Sequence, residues 1–171
     1  MNLLHHKTKN ESLIYGLNRE AENFNRIYKI FTGDIERAKY KYSFFDFYSK
    51  TKNILFELKS LTYSINAYKT AIMNTCKLSY NHIVFIFEYT NNDKTKQLYY
   101  HIYDEKREYN KRYITPMNRL NSCEVIDIPT NELIEIEPNT LYDFDFTNNI
   151  TDTDIEHFNE IMDNDTKKNL K

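Results

Sequence analysis

Apolar residues recur at intervals of three and four from Asn10 to Tyr28, where Leu13, Leu17, Ala21, Phe24 and Tyr28 line up. That spacing predicts an amphipathic helix, capped by Asn10 or Ser12 and ended by Thr32-Gly33-Asp34. Glu20 falls in the middle of the apolar stripe, whereas Glu22 points to water. A carboxylate on the buried side of a helix is costly unless a partner compensates it.

After Ile35 the period changes to two. Ser43 to Tyr48 and Asn53 to Lys59 read as strands, and the short polar link Ser49 to Lys52 makes them a hairpin. In the second strand Ile54, Phe56 and Leu58 share one face, and Leu55, Glu57 and Lys59 share the other. Phe44, Asp46 and Tyr48 share a face of the first strand. A second helix is expected from about Ser64 to Leu78, with Ile65, Ile72 and Cys76 as its stripe. His82 to Tyr89 is nearly uniformly apolar, as a strand covered on both faces would be.

Asn91-Asn92-Asp93 breaks that run, and Gln97 to Tyr103 returns as a strand before the charged loop Asp104 to Lys111. Val125 to Ile128 and Leu133 to Ile136 are short strand candidates beside Pro129 and Pro138. Tyr142-Asp143-Phe144-Asp145-Phe146 reads as a surface strand or docking segment. Thr153-Asp154-Ile155-Glu156 fits a capping box for a helix with Ile155, Phe158 and Met162 inward. The last half-dozen residues are expected to be disordered. The pattern implies an α/β fold: a central mixed sheet of four or five strands flanked by helices. Residues 1–138 form the body, and 139–171 an acidic appendage with one short helix.

Composition changes the picture in two ways. The chain of 171 residues has 17 Lys against 6 Arg, 21 Asn and only 4 Ala, the signature of an A/T-rich genome such as that of a large DNA virus or phage. Individual Asn and Lys residues therefore carry little meaning. Charge is also divided, with residues 1–123 at a balance of +8 and residues 124–171 at −10. A basic body favours a polyanion, and the acidic end would shield that face or dock onto a basic partner.

No apolar run is long enough to span a membrane, and the start lacks a signal-like apolar region, so an intracellular protein is expected, in cytoplasm or nucleus. Cys76 and Cys123 make neither a disulfide scaffold nor a zinc site. His5-His6 is expected to be a flexible terminus, while His82 and His101 are expected to be polar strand ends.

Chance supplies about 2.5 acid-x-Lys pairs in such a chain, and three occur, at Glu57, Asp104 and Asp165. Only Glu57-Leu58-Lys59 lies on an apolar strand, behind a neighbour carrying Asp46. With Glu20 aimed inward, three acids are expected to converge near one lysine. Such acids repel one another unless a cation joins them, and hard oxygens favour Mg²⁺ or Mn²⁺.

The order helix with Glu20, strand, strand with Asp46, strand with Glu57-Leu58-Lys59, helix, strand resembles the PD-(D/E)XK nuclease superfamily over about residues 11–103. The resemblance implies a restriction-endonuclease-like αβββαβ core and Mg²⁺-dependent hydrolysis of DNA, double-stranded or branched. It implies that Asp46, Glu57 and the Leu58 carbonyl hold the metal and that Lys59 is the catalytic lysine. Glu20 would be the helix-borne acid, and Lys69 or Tyr68 the accessory residue of the second helix. Phe45 stands where the motif has proline. Relatives that cut two strands are commonly dimers, so a homodimer is also implied. The rival expectations are an inactive relative that only binds nucleic acid, and a protein-interaction module.

Overall fold

A computed structural model describes residues 9–32, 34–40, 43–116 and 121–169. Helix α1 (Lys9–Ile30) is followed by strands β1 (Ile35–Arg37), β2 (Phe47–Ser49), β3 (Ile54–Ser60), β4 (Thr70–Asn74), β5 (Ile83–Thr90), β6 (Lys96–Ile102), β7 (Asn110–Ile114), β8 (Cys123–Pro129) and β9 (Ile134–Glu135). Helix α2 (Asp152–Asn169) ends the described chain. The class is α/β. A six-stranded mixed sheet runs in the order β1-β2-β3-β5-β6-β9, and a separate three-stranded sheet runs β4-β8-β7.

In the large sheet β3 and β5 are parallel, with Glu57 opposite Phe85 and Lys59 opposite Phe87, and the other pairs are antiparallel. Both faces of this sheet are covered. Ile54, Phe56, Val84 and Ile86 meet Ile27 and Ile30 of α1. On the opposite face Leu55, Phe85 and Phe87 meet Ala71 and Met73 of β4, Ile126 and Ile128 of β8, and Phe158 of α2. Burial on both sides explains the unbroken apolar run of β5.

The expected helix from Ser64 to Leu78 does not form. Thr70 to Asn74 is strand β4, flanked by short 3-10 turns at Ile65–Ala67 and Thr75–Lys77. Its burial alternates, with Ala71 and Met73 inside, and β8 supplies a full antiparallel ladder. That period-two pattern outweighs the looser helical spacing of Ile65, Ile72 and Cys76, and Cys76 is exposed. The parallel crossover from β3 to β5 is thus covered by a second sheet rather than by a helix.

Helix α1 is rolled relative to the expected stripe. Ala21 and Tyr28 face solvent, while Asn23 (3% exposed) and Ile27 (0%) face the sheet. Asn23 can lie there because its amide donates to Glu88 Oε2 at 2.7 Å. Glu88, fully buried on β5, is gripped by Arg19 through Nε (2.7 Å to Oε1) and Nη2, and Lys96 Nζ lies 3.8 Å away. These contacts hold its carboxyl below its ordinary pKa, the Arg19 hydrogen bond counteracting burial.

The acidic C-terminal segment lies on the body. Tyr142 bridges Phe31, Phe144 is buried beside Phe31 and Phe56, and Phe146 stacks on His82 at 4.9 Å. The aromatic–acid alternation therefore forms a strap over the α1 side of the sheet, with its aromatics inward. His82 and His101 are buried strand-end groups bonded to Tyr80 and Tyr109, and burial lowers the pKa of each. His5 and His6 fall outside the described residues.

Helix α2 starts two residues earlier than expected. Thr151 and Asp154 cap each other, with Asp154 N bonded to Thr151 Oγ1 and Thr151 N to Asp154 Oδ2. Phe158 is buried, Ile155 faces solvent, and the helix continues to Asn169, where disorder was expected. Thr151→Ala is expected to cost about 1 kcal/mol of stability in urea denaturation, the typical value of an N-cap hydroxyl. No helix among the described residues is long and apolar enough to cross a membrane.

Candidate metal centre

Strand β2 pairs with β3 as far as Phe47 opposite Phe56, and the chain before it then peels away. Asp46 sits at the divergence. Its N–H still donates to the Phe56 carbonyl at 3.1 Å, and its side chain replaces the missing strand. Asp46 Oδ2 accepts the Leu58 N–H at 2.6 Å. The N–H and C=O of one strand residue face the same neighbour, so the Leu58 carbonyl also opens toward Asp46.

Glu57 projects with Leu55 and Lys59 toward the second sheet. Its buried Oε2 is paired with Lys77 Nζ at 3.0 Å. A void of about 10 Å³ adjoins it, lined by Phe44, Phe45 and Lys77 among others. Lys59 reaches past Glu57 and donates to the Ile72 carbonyl at 2.7 Å. From α1, Glu20 comes close enough for its charge to act on Asp46, and its Oε2 lies 3.5 Å from Arg37 Nη2.

The electrostatics follow from this crowding. Burial first, then the charges of Glu57 and Glu20, push Asp46 well above the ordinary aspartate value, against the pull of the Leu58 N–H and Lys77. Burial raises Glu57 against the pull of Lys77 and Lys59, and raises Glu20 against that of Arg37. Lys59 is lowered to about 8, chiefly by burial.

The structure therefore brings Glu20, Asp46 and Glu57 within one electrostatic neighbourhood, while Lys59 interacts with Glu57 but spends its hydrogen bond on β4. Lys69 and Tyr68 stand apart, exposed at the start of β4, with Tyr68 (61% exposed) edge-on to Tyr63. Two cations were not anticipated. Arg37 shares a face of β1 with buried Ile35, a period-two signal present in the sequence. Lys77 was hidden by the helix expected over its segment.

Among the described residues, no three His, Cys, Asp or Glu side chains stand close enough to hold one ion together. Magnesium needs fewer, since one or two carboxylates with waters and substrate oxygens suffice. Asp46, Glu57 and the Leu58 carbonyl are hard oxygen donors of the kind such an ion takes, with Asp46 Oδ2 bonded to the Leu58 N–H and Glu57 Oε2 paired with Lys77 in this structure. No protein-family model, curated protein or solved structure matches this chain.

Proposed function

We propose that this chain is a metal-dependent nuclease of the PD-(D/E)XK type, hydrolysing phosphodiester bonds in DNA. The observation that carries the reading is the juxtaposition at the β2–β3 divergence. There Asp46 accepts the Leu58 N–H, and the charges of Glu57 on β3 and Glu20 on α1 both act on it. Asp46, Glu57 and the Leu58 carbonyl would hold Mg²⁺ or Mn²⁺, which when bound polarises a phosphodiester and lowers the pKa of water.

Glu20 would add a further acid beside Asp46, and Arg37 keeps Glu20 in place. Lys59 is the residue suited to steady phosphate charge or exchange a proton near neutral pH. The basic stretch, residues 1–123, would meet the DNA, and a homodimer would let it cut two strands. An A/T-rich virus or phage would use such an enzyme in genome processing within a host cell.

A second reading has its own observation. Arg37, Lys59 and Lys77 match the three acids charge for charge, as in a scaffold that binds nucleic acid without cutting it. Incubation with plasmid, branched and single-stranded DNA in Mg²⁺ or EDTA separates the two. The nuclease cuts in Mg²⁺ only, and Lys59→Ala slows it about 10²-fold, the scale of one lost charge-stabilising donor. Equal behaviour of wild type and Lys59→Ala on every substrate removes the nuclease reading. Binding with a steep salt dependence and no cleavage establishes the scaffold.

A further inference from the structure

We propose that helix α2 is a built-in latch that keeps Glu57 closed to a metal ion, acting through Asp165, Phe44 and Lys77. The latch rests on the reading of Glu57 as a metal-binding carboxylate. Asp165 is only 7% exposed on a helix whose other acids face water or its rim. It turns inward to accept the Phe44 N–H at 2.6 Å. The Phe44 carbonyl in turn accepts from Lys77 Nζ, whose ammonium lies 4.9 Å from the Phe44 ring. Lys77 then reaches Glu57 Oε2. Four residues from three distant parts of the chain thus form one line from α2 to the acid cluster.

The same helix also grips the other side of Lys77. The His157 ring bonds the Ser79 carbonyl, and Phe158 packs on Tyr80 at 5.7 Å. Both supports of the Lys77 ammonium, the Phe44 backbone and the chain just after Lys77, are therefore held by α2. An ammonium and a divalent cation compete for the same carboxylate oxygen, so whatever seats Lys77 weakens binding of the ion. Lys77 is the occupant of that oxygen, and Phe44 and Asp165 are positioning residues that act through it. Movement of α2 frees Phe44, lets Lys77 swing away and opens Glu57.

The test is a Mn²⁺ titration by calorimetry on full-length wild type, Lys77→Met, Asp165→Ala and the double variant, each checked for folding by circular dichroism. Lys77→Met is expected to bind Mn²⁺ about 10-fold more tightly and Asp165→Ala about 5-fold, within the usual span of coupling between sites. The double variant matches Lys77→Met, because Asp165 acts only through Lys77. Asp165→Asn, which keeps the acceptor for the Phe44 N–H, restores wild-type affinity. Mn²⁺ binding with one affinity in all variants overturns the latch alone, as does additivity in the double variant. Altered affinities without cleavage of any DNA leave the latch standing and defeat the nuclease reading. Failure of every variant to bind Mn²⁺ defeats the latch together with the metal site.

Discussion

Asp46→Asn is expected to make the protein more stable and, on the nuclease reading, to stop cleavage. The native carboxylate is packed against Glu57 and Glu20 and pays for desolvation, so its pKa is raised. Asparagine keeps an oxygen for the Leu58 N–H, removes the charge and offers an amide to a neighbouring carboxylate. Without divalent metal at pH 7 the gain is about 1–2 kcal/mol, within the usual range for a relaxed functional site. For a chain of this size that corresponds to about 2–8 °C in Tm. Cleavage falls at least about 10³-fold, the scale seen when a member of a catalytic unit is lost.

The pH dependence has a definite sign. A carboxyl with a raised folded pKa favours the folded state below its unfolded value near 3.8, and loses that contribution as pH rises through the folded pKa. The advantage of Asp46→Asn is therefore largest at neutral pH and shrinks as the solution is made acid. Calorimetric scans from pH 7 to pH 4 would measure it. A variant that is less stable than wild type at pH 7 would show that Asp46 is a structural cap on β3 and no strained site residue.

Arg19→Met acts in the opposite direction and on the other face of the sheet. It strips the bidentate partner from Glu88, which is completely buried and left with Asn23 and a distant Lys96. Removing one partner of a buried pair costs about 3–5 kcal/mol. The corresponding Tm loss is about 6–20 °C in a chain of this length. Glu88 in the native protein has a lowered pKa, so its contribution is full above the unfolded value of 4.5 and fades as pH falls through the folded one. In Arg19→Met the carboxyl can take up a proton instead, so the variant's deficit narrows in acid. Adding Glu88→Gln should recover much of the loss at pH 7. A deficit under about 1 kcal/mol by urea denaturation, the scale of an exposed pair, would contradict this account.

The elements that were legible in the sequence are those whose pattern had a single meaning. β3 alternates cleanly, β5 is apolar throughout, and α1 keeps its helical spacing. The roll of α1 was not legible, because Asn23 looks like a solvent residue until Glu88 is placed beneath it. Nor was β4, whose pairing depends on β8, more than 50 residues away in the chain. The candidate site shows the same division. Glu20, Asp46, Glu57 and Lys59 stood out as charges on apolar faces. Lys77 did not, since its role depends on the 3-10 turn that delivers it and on the Phe44 carbonyl that receives it.

The route from β3 to β5 by way of β4 has a consequence for how the molecule comes into being. β5 and β6 are neighbours along the chain and can zip together as a hairpin within microseconds. The β3–β5 pairing closes a longer loop, and the stretch inside that loop pairs with β8, a partner encountered much later in the sequence. Closure entropy is thus spent before any reward arrives, which slows refolding. The acids and Lys77 come from opposite sides of that junction. The acid cluster and its cations are thus assembled only once that seam has closed.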